Sequence, residues 1–415
     1  MRGDKRKARP GPSKQRGERG PARGAQEKGA RAQRPERVPG GDGRPVVERR
    51  AAKRSPRASE RADRRDERAD RRTDHADGHD EPGDRRTARP DANAGGARDA
   101  LPPLPRRAGE RPAMRAPVVL VTPPDDDYAL LDSGEGRKLE RYGEVTAIRP
   151  EPQALWPPRL PEASWAEANA VFTGATDEAS EEESKGRWAF PREPLGEVWP
   201  MRHDGIDYHG RLTAFRHMGV FPEQAAHWRW MAERLRPGER VLNLFGYTGL
   251  ASLVAARAGA EVTHVDASRK AIGWARENAE LAGLADRPVR WICEDAAKFV
   301  AREGRRGRSY DLILLDPPKF GRGPGGEVWQ LFEHLPALLS GCRDILSPRP
   351  LGMVLTAYAV RASFYALHGL MGEAMRGLDG TVESGELLIE ERGEEARLLP
   401  TSLFSRWTAP GRLEP

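Results

Sequence analysis

Small and acidic residues follow four apolar runs in the second half of the chain, and they are residue types that bind ligands. The runs are VLNLFGYTG, VTHVD, ICEDA and YDLILLDPPKF. Runs of this kind that close on Gly or an acid are typical of buried strands in a parallel sheet, and the segments between them have helical periodicity. In such βαβ sheets the ligand lies beyond the carboxyl ends of the strands, so the closing residues are predicted to meet at one edge. These residues are Asn243, Gly246, Gly249, Asp266, Asp295 and Asp316.

The types and order of these residues indicate an adenosine-bearing ligand. Gly246 and Gly249 have no Cβ, so the backbone can approach a ligand closely and adopt positive φ. Asp266, at the end of the second run, can accept hydrogen bonds from both hydroxyls of a ribose. Asp295, after the third run, can receive the exocyclic amine of an adenine. Each acid could instead cap a helix N-terminus, but the whole set at one sheet edge favours ligand binding.

A second glycine-rich segment, GRGPGG at residues 321–326, also fits the G-x-G-x-x-G pattern of dinucleotide loops. We reject that interpretation because residues 317–320 separate the segment from the preceding strand, whereas the first Gly of such a loop closes the strand directly. Pro324 also has no backbone N–H that could donate a hydrogen bond to a phosphate. The remaining alternatives are a flexible lid over the site and a plain connection.

The four motifs, taken in this order, resemble those of the class I S-adenosylmethionine-dependent methyltransferases, and the resemblance covers residues 212–407. GVFPEQ, NLFGYTG and DPPKF are most similar to the ribosomal RNA methyltransferases that include the large-subunit cytosine carbon-5 enzymes. The resemblance implies a Rossmann-like α/β fold with a seven-stranded sheet whose last strand is antiparallel. It also implies S-adenosylmethionine as methyl donor and no metal. The final segment, TVESGELLIEERGEEARLLPTSLFSRW, has the two strand-like runs and the turn that a closing hairpin needs.

The same resemblance assigns cofactor contacts residue by residue. The turn from Gly246 to Gly249 would line the methionine part of the cofactor, and Gln224 would lie near the methionine end. Asp266 would bind the ribose, and Asp295 would bind the adenine amine. The cofactor-binding residues predicted in this way are Gln224, Asn243, Gly246, Thr248, Gly249, Asp266 and Asp295.

The chain departs from the cytosine carbon-5 enzymes because it lacks their catalytic cysteine. Carbon 5 is a poor nucleophile, so its methylation requires a thiolate to add to carbon 6. The family places that cysteine after the fourth or sixth strand, where this chain reads LDPPKFG and GMVLTAYAVRAS. The two cysteines of the chain, Cys293 and Cys342, lie elsewhere and are predicted to be buried small apolar residues.

The residues that remain at the methyl-transfer end resemble the D/N-P-P-aromatic motif of enzymes that methylate nitrogen. In that motif an acid or a prolyl carbonyl accepts an amine proton, and the aromatic ring stacks on an extruded base. Here Lys319 displaces the aromatic residue by one position. Phe320 can stack on a base or pack in the core, and Lys319 and Arg322 can contact phosphate or be solvated. The predicted catalytic residues are Asp316, Pro317, Pro318, Lys319, Phe320 and Tyr358.

Composition divides the chain into three regions. The chain has 415 residues and a net charge of +6, and the excess of basic residues lies in the first 110. Residues 1–112 are predicted to be a disordered Arg-rich tail, because stretches such as RADRRDERADRR contain little to bury. Such a tail can attract polyanions or can only aid solubility. Residues 113–213 are predicted to form a small β-rich region, and residues 214–415 the methyltransferase domain.

The predicted function is that of a cytoplasmic methyltransferase that modifies a base in RNA, ribosomal RNA in particular, at nitrogen rather than at cytosine carbon 5. The cytoplasm is predicted because the sequence contains no apolar run of membrane-spanning length and no signal-peptide core. One alternative is a methyltransferase of a small molecule or protein, which the net acidity after residue 110 favours. The other is an RNA-binding protein that keeps the cofactor fold without turnover, and the intact Gly and Asp set argues against it. The sequence does not indicate an oligomeric state.

Overall fold

A computed structural model of the chain describes residues 100–125, 127–174, 186–193, 195–213, 216–358 and 360–412. Residues 1–99 of the predicted tail therefore lie outside the described residues. The first eight strands are β1 (Ala113–Thr122), β2 (Tyr128–Gly134), β3 (Arg137–Tyr142), β4 (Val145–Pro150), β5 (Ala170–Thr173), β6 (Arg187–Ala189), β7 (Val198–His203) and β8 (Ile206–Arg211). The others are β9 (Arg240–Leu244), β10 (Glu261–Asp266), β11 (Val289–Cys293), β12 (Leu312–Leu315), β13 (Phe320–Arg322), β14 (Val328–Gln330), β15 (Gly352–Tyr358), β16 (Thr381–Glu390) and β17 (Leu398–Thr408). The helices are α1 (Glu162–Trp165), α2 (Ala225–Arg234), α3 (Leu250–Arg257), α4 (Arg269–Leu281), α5 (Ala296–Arg305), α6 (Leu331–Asp344) and α7 (Phe364–Ala374), with a 3₁₀ turn at Pro222–Gln224.

The largest sheet has the strand order β1-β16-β17-β15-β12-β9-β10-β11. Strands β15, β12, β9, β10 and β11 pair in parallel, and β17 is antiparallel to both of its neighbours. The central strand β12 consists of four buried aliphatic residues, as expected where both faces of a parallel sheet are covered. The predicted seven-stranded sheet with an antiparallel last strand is confirmed, and so is the closing hairpin, formed by β16 and β17.

Strand β1 extends this sheet beyond the seven predicted strands. It pairs in parallel with β16, from Ala113 opposite Thr381 to Thr122 opposite Ile389. The structure therefore differs from the predicted division at residue 113, since the first strand of the predicted β-rich region lies in the large sheet. The alternation of apolar residues in a strand predicts which face is buried, but it does not identify a partner strand near the other end of the chain.

Helices pack on both faces of the large sheet. Within β9, Val241 belongs to the core that includes α2, α3 and α4, whereas Leu242 and Leu244 belong to the core that includes α5, α6 and α7. This alternation is the two-residue period of a strand that is buried on both sides. None of the helices in the described parts of the chain is long and apolar enough to cross a membrane.

Strands β2 to β6 form a second sheet, and β7 and β8 form a hairpin. Both share the hydrophobic core of the α2–α4 face, where Tyr142 and Tyr208 are buried together with Trp228. The backbone N–H of His209 also donates a hydrogen bond of 2.9 Å to the side-chain oxygen of Asn278 on α4. These strands are thereby held close to the edge of the large sheet that carries the predicted site.

Residues 100–112 have no regular secondary structure, yet they pack on the helices of the other face. Leu101 and Leu104 contact the core that contains α6 and α7. The guanidinium of Arg107 donates to Ser340 (3.0 Å) and Asp344 (2.8 Å) on α6. The last residues of the predicted tail, 100–112, therefore make tertiary contacts with the large sheet's helices. Two leucines among prolines gave no periodic pattern from which this packing could be predicted.

Candidate active site

A cavity lies at the carboxyl ends of β9, β12 and β15, where the sequence predicted a ligand. Its walls include the aromatic side chains of Phe221, Trp228 and Tyr247. Asp266 ends the neighbouring strand β10, and Asp295 follows β11. The predicted residues that line the cavity are Gln224, Asn243, Gly246, Thr248 and Asp316.

The loop after β9 has an unusual backbone. Phe245 and Tyr247 have φ angles of 57° and 50°, and Gly249, which caps α3, has a φ of 86°. Left-handed φ values are uncommon for residues other than Gly, and such strain clusters at functional sites. Gly246 itself does not have a positive φ. Its glycine is required by close packing, because a Cβ there would lie 2.4 Å from the ring of His264.

Asp266 holds this loop through the backbone. Its Oδ2 accepts a hydrogen bond from the N–H of Tyr247 (2.9 Å), and its Oδ1 accepts one from the N–H of Ser268 (2.8 Å). Burial raises the pKa of the Asp266 carboxyl, and the two backbone hydrogen bonds oppose that rise. An ionised carboxylate offers about four lone-pair sites. Each oxygen therefore keeps capacity for one further donor, such as a hydroxyl.

Asp295 caps the N-terminus of α5, where its Oδ1 accepts a hydrogen bond of 2.9 Å from the N–H of Lys298. The cap that the sequence offered as an alternative is therefore present. It uses one of the two carboxylate oxygens, so a ligand contact through Oδ2 is compatible with it.

Two of the predicted cofactor-binding side chains are fixed by internal hydrogen bonds. Asn243 donates to the hydroxyl of Ser252 (2.9 Å), which in turn lies 3.0 Å from Nδ1 of His264. Thr248 donates through its hydroxyl to the carbonyl of Gly219 (2.7 Å). Both side chains are buried. They shape the wall of the cavity and orient the loop between β9 and α3.

Asp316 stands at the end of a chain of three side chains. Nε2 of Gln224 donates to Oγ1 of Thr356 (3.0 Å), and that hydroxyl donates to Oδ1 of Asp316 (2.5 Å). A hydroxyl can accept from an amide while it donates its own proton, so the two bonds are compatible. Burial raises the pKa of Asp316 to about 6, and the hydrogen bond from Thr356 opposes the rise. A carboxylate with a pKa near neutrality is suited to accept a proton.

Glu223 is a second buried carboxyl at this edge, which sequence reasoning did not select. Burial raises the pKa of Glu223 to about 7, although Lys138 opposes the rise. The hydroxyl of Ser402 donates to its Oε1 at 3.4 Å. The signal in the sequence was a charged residue directly after the apolar run GVFP.

After Asp316 the chain leaves the sheet and turns towards solvent. Pro317 is buried, Pro318 and Lys319 are exposed, and Phe320 is 39% exposed. The indole N–H of Trp329 donates a hydrogen bond of 2.7 Å to the carbonyl of Pro318. Core packing of Phe320 is therefore excluded. The carbonyl of Pro318 already accepts a hydrogen bond from Trp329.

The segment at residues 321–326 joins β13 to β14 in an antiparallel hairpin, with Phe320 opposite Gln330. The N–H of Gly325 donates to Oε2 of Glu327 (2.8 Å), and the ammonium of Lys298 lies 2.5 Å from Oε1 of the same residue. The structure thus shows that this glycine-rich segment is part of a hydrogen-bonded hairpin.

Tyr358 ends β15, two residues after Thr356 and therefore on the same side of the strand. The guanidinium of Arg216 lies 5.3 Å from the centroid of its ring, within cation–π distance. Burial raises the pKa of the Tyr358 hydroxyl. The structure places Tyr358 beside the Asp316 end of the cavity.

Neither cysteine lies at the carboxyl end of β12 or β15. Cys342 is buried in α6, as predicted, and burial raises the pKa of its thiol. Cys293 ends β11, and its Sγ donates to the carbonyl of Ala267 at 3.5 Å. Cys293 is only partly buried, which differs from the prediction, because β11 is the edge strand of the sheet.

Comparison with known proteins identifies the family. A family model described as S-adenosylmethionine-dependent methyltransferase matches residues 164–347. The crystal structure of the SAM-dependent methyltransferase from Agrobacterium tumefaciens is 58% identical, with a TM-score of 0.70, and the match covers 73% of this chain and 97% of that one. The chain belongs to the S-adenosylmethionine-dependent methyltransferases.

Two curated methyltransferases are similar over a shorter stretch. The ribosomal RNA large subunit methyltransferase I of Aeromonas hydrophila is 34% identical over 148 residues, which are 35% of this chain and 34% of the relative. The ribosomal RNA large subunit methyltransferase K/L of Shewanella frigidimarina is 33% identical over 146 residues, which are 35% of this chain and 20% of the relative. This methyltransferase therefore spans about a third or less of the length of these relatives.

Membership in the family makes the protein an enzyme whose methyl donor is S-adenosylmethionine. The donor set at the sheet edge fits that cofactor, because the partly occupied carboxylate of Asp266 can accept from vicinal hydroxyls. The aromatic walls of the cavity fit its apolar surface. In the described parts of this methyltransferase, no group of three or more His, Cys, Asp or Glu side chains is arranged to hold a metal ion.

Proposed function

We propose that this methyltransferase modifies a base in ribosomal RNA, at a nitrogen rather than at carbon 5 of cytosine. The names of the two curated relatives support ribosomal RNA of the large subunit as the substrate. The choice of atom rests on one observation: the carboxyl ends of β12 and β15 carry the carboxylate of Asp316 and no thiol. Cytosine carbon 5 requires a thiolate, whereas a nitrogen has its own lone pair.

S-adenosylmethionine supplies a methyl group that its sulfonium already makes electrophilic. The protein therefore has to align the acceptor nitrogen and take up its proton. Asp316 accepts that proton, and Gln224 and Thr356 fix the orientation of its carboxylate through the two hydrogen bonds described above. Trp329 holds the turn at Pro318, which keeps Asp316 at the end of its strand.

In this proposal the cofactor lies over the ends of β9, β10 and β11. Asp266 accepts from the ribose hydroxyls with the lone pairs that Tyr247 and Ser268 leave free. Asp295 accepts from the adenine amine through the oxygen that is not used in the cap. Gln224, Asn243, Gly246, Thr248 and Gly249 line the methionine end, since most of them form the wall next to Asp316.

The outer face of the β13–β14 hairpin supports an RNA substrate. Phe320 and Val328 in the hairpin are 39% and 44% exposed, Phe332 in the first turn of α6 is 59% exposed, and Lys319 and Arg322 are close to Phe320 in the sequence. Exposed aromatic rings next to cations are a common arrangement for binding single-stranded nucleic acid, where bases stack and phosphates are neutralised.

Mass spectrometry of nucleosides tests this proposal. Ribosomal RNA from cells with and without the gene is digested, and purified full-length protein is then used to methylate the RNA that lacks the modification. We expect one methylated nucleoside to disappear in the deletion strain and to be restored in vitro, with the methyl group on nitrogen. Cys293→Ser and Cys342→Ser should both retain activity.

Loss of 5-methylcytosine in the deletion strain, together with an inactive Cys variant, would contradict the choice of nitrogen. If no nucleoside changes and the purified protein transfers no methyl group to RNA, the substrate is a small molecule or a protein instead. Binding of RNA without any methyl transfer would support the non-catalytic alternative.

A further inference from the structure

A second cavity, of about 230 Å³, lies beside the first and has no role in the proposal so far. It is enclosed by the segment after β4, the ends of β12 and β15, and the hairpin of β16 and β17. Its polar lining includes Glu151, Gln153, Lys319, Tyr358 and Ser402. Two separate parts of the chain, the β-rich region and the large sheet, thus supply its walls.

The second cavity adjoins the methyl-transfer end of the first. Thr356 lines the first cavity and Tyr358 lines the second, and both belong to β15. Asp316 lines the first cavity, and Lys319, three residues later, lines the second. A group bound in the second cavity would therefore lie next to Asp316, which we propose as the proton acceptor.

Glu151 is the polar group that gives this cavity its chemistry. Its side chain is buried, and its backbone is fixed because its N–H donates to the carbonyl of Gly136 (2.7 Å). Its Oε2 is buried and forms an ion pair with the ammonium of Lys138 at 3.2 Å. An ion-paired carboxylate that lines a cavity can still accept a hydrogen bond from a bound ligand through its other oxygen.

Glu151 and Glu140 share the buried cation of Lys138. Lys138 is buried between Glu151 and Glu140, but Glu140 already pairs with Arg149 (2.7 Å) and accepts from the hydroxyl of Tyr142 (2.9 Å). Burial opposes the charge on Lys138, but Glu140 and Glu151 together raise its pKa. An ionised carboxylate accepts hydrogen bonds and cannot donate them. Glu151 therefore favours a ligand that presents N–H or O–H donors, whereas Lys319 and Arg361 in the same lining favour acceptors.

The dimensions of the cavity suit a planar ring. An apolar cavity of about 150 Å³ is large enough to bind benzene, so 230 Å³ has room for a substituted heterocycle. Tyr358 supplies an aromatic wall, and enzymes that modify a base commonly hold it by such stacking and by hydrogen bonds to its edge. Gln153 is fixed nearby, because its amide donates to the carbonyl of Pro400 (3.2 Å).

We propose that the second cavity holds the nucleobase to be methylated and that Glu151 accepts a hydrogen bond from its exocyclic amino group. This inference rests on the proposed function, because it takes RNA as the substrate. Adenine, guanine and cytosine carry such an amino group. Uracil is disfavoured, because its single edge N–H lies between two carbonyl oxygens that the carboxylate would repel.

The test uses the full-length protein, large-subunit ribosomal RNA from a strain without the gene, and S-adenosylmethionine with a labelled methyl group. Glu151→Gln keeps the shape of the side chain and removes its charge, and Glu144→Gln, at an exposed position of the same region, is the matched control. We expect Glu151→Gln to lower kcat/KM for RNA by at least about tenfold, as for a lost hydrogen bond to a charged group. The affinity for S-adenosylmethionine should not change in calorimetry.

A second variant separates a loss of stability from a loss of kcat/KM. If Glu151→Gln unfolds because Lys138 loses the nearer of its two carboxylates, the double variant Lys138→Met with Glu151→Gln removes both charges and restores the fold. It should still show the loss of kcat/KM.

The inference is overturned if the folded Glu151 variants methylate RNA as well as Glu144→Gln does, or if the product is a uridine methylated on nitrogen. In both cases the proposed function stands. No methylation of RNA by the wild-type protein overturns both the inference and the proposed function.

Discussion

The two ends of the active-site edge are held together in different ways. At the cofactor end, formed by the carboxyl ends of β9, β10 and β11, the carboxylates of Asp266 and Asp295 accept hydrogen bonds from backbone N–H groups. The acceptor end is formed by the carboxyl ends of β12 and β15 and the segment after β4. There, Asp316 accepts its hydrogen bond from a side chain. Its partner Thr356 in turn accepts a hydrogen bond from Gln224, and the three residues come from distant parts of the sequence.

This difference determines how each end responds to substitution. A backbone donor is present whatever its side chain, so the cofactor end depends on the acids themselves and on the shape of the loop. At the acceptor end, the side chain of Thr356 lowers the pKa of Asp316, in opposition to burial. Asp316, whose pKa is raised to about 6, and Glu223, whose pKa is raised to about 7, both lie at the acceptor end. We therefore expect the cofactor end to control affinity and the acceptor end to control rate and pH dependence.

The largest effect is expected for Asp316→Asn, which keeps the shape of the side chain and removes the proton acceptor. We expect kcat to fall by about a hundredfold or more, as is typical when a positioned base is lost. In the wild-type protein, kcat should decline as the pH falls through about 6, because the ionised carboxylate is the active form. Methyl transfer to RNA, measured between pH 5 and 9, checks both statements.

Asp286→Asn, at an exposed position after α4, is the control. The affinity of Asp316→Asn for S-adenosylmethionine should remain within a few-fold of the wild type. A variant with full kcat, or a wild-type profile that is flat through pH 6, would exclude Asp316 as the proton acceptor.

The next effect is expected at the cofactor end, from Asp266→Ala. Each hydrogen bond to a charged group contributes about 1.5–3 kcal/mol, so the loss of one corresponds to a tenfold weaker affinity or more. The N–H groups of Tyr247 and Ser268 also lose their acceptor, which loosens the loop after β9. Calorimetric titration with S-adenosylmethionine measures the change against Asp286→Ala, and equal affinities would rule out the contact with ribose.

The same contrast explains what the sequence could predict. Asp266, Asp295 and the loop after β9 lie in one continuous series of strand ends, so their order along the chain indicated their common position. The pairing of β1 with β16 and the chain from Gln224 to Asp316 join residues that no local pattern connects. The ring of His264 leaves no room for a Cβ at Gly246, and this reason for a glycine depends on packing between two strands.

A smaller and more specific effect is expected for Thr356→Val. The hydroxyl of Thr356 lowers the pKa of Asp316, in opposition to burial, so its removal should raise that pKa further above 6. The pH at which kcat is half-maximal should therefore move upwards, with lower activity at pH 7 and nearly full activity at pH 9. Thr356→Ser keeps the hydroxyl and should retain the wild-type profile. A uniform loss at all pH values would mean that Thr356 has only a structural role.

The smallest effect separates the two roles of Asp295, as a helix cap and as a ligand of adenine. Ser caps helices about as well as Asp, whereas Ala at a cap position lowers stability by about 0.5–2 kcal/mol. We expect urea unfolding to show a lower stability for Asp295→Ala and little change for Asp295→Ser. Both variants lack the second carboxylate oxygen that the cap leaves free, so both should bind S-adenosylmethionine several-fold more weakly in calorimetry. If Asp295→Ser binds the cofactor as well as the wild type does, the carboxylate is a cap alone, and β11 contributes no side-chain contact to the adenine.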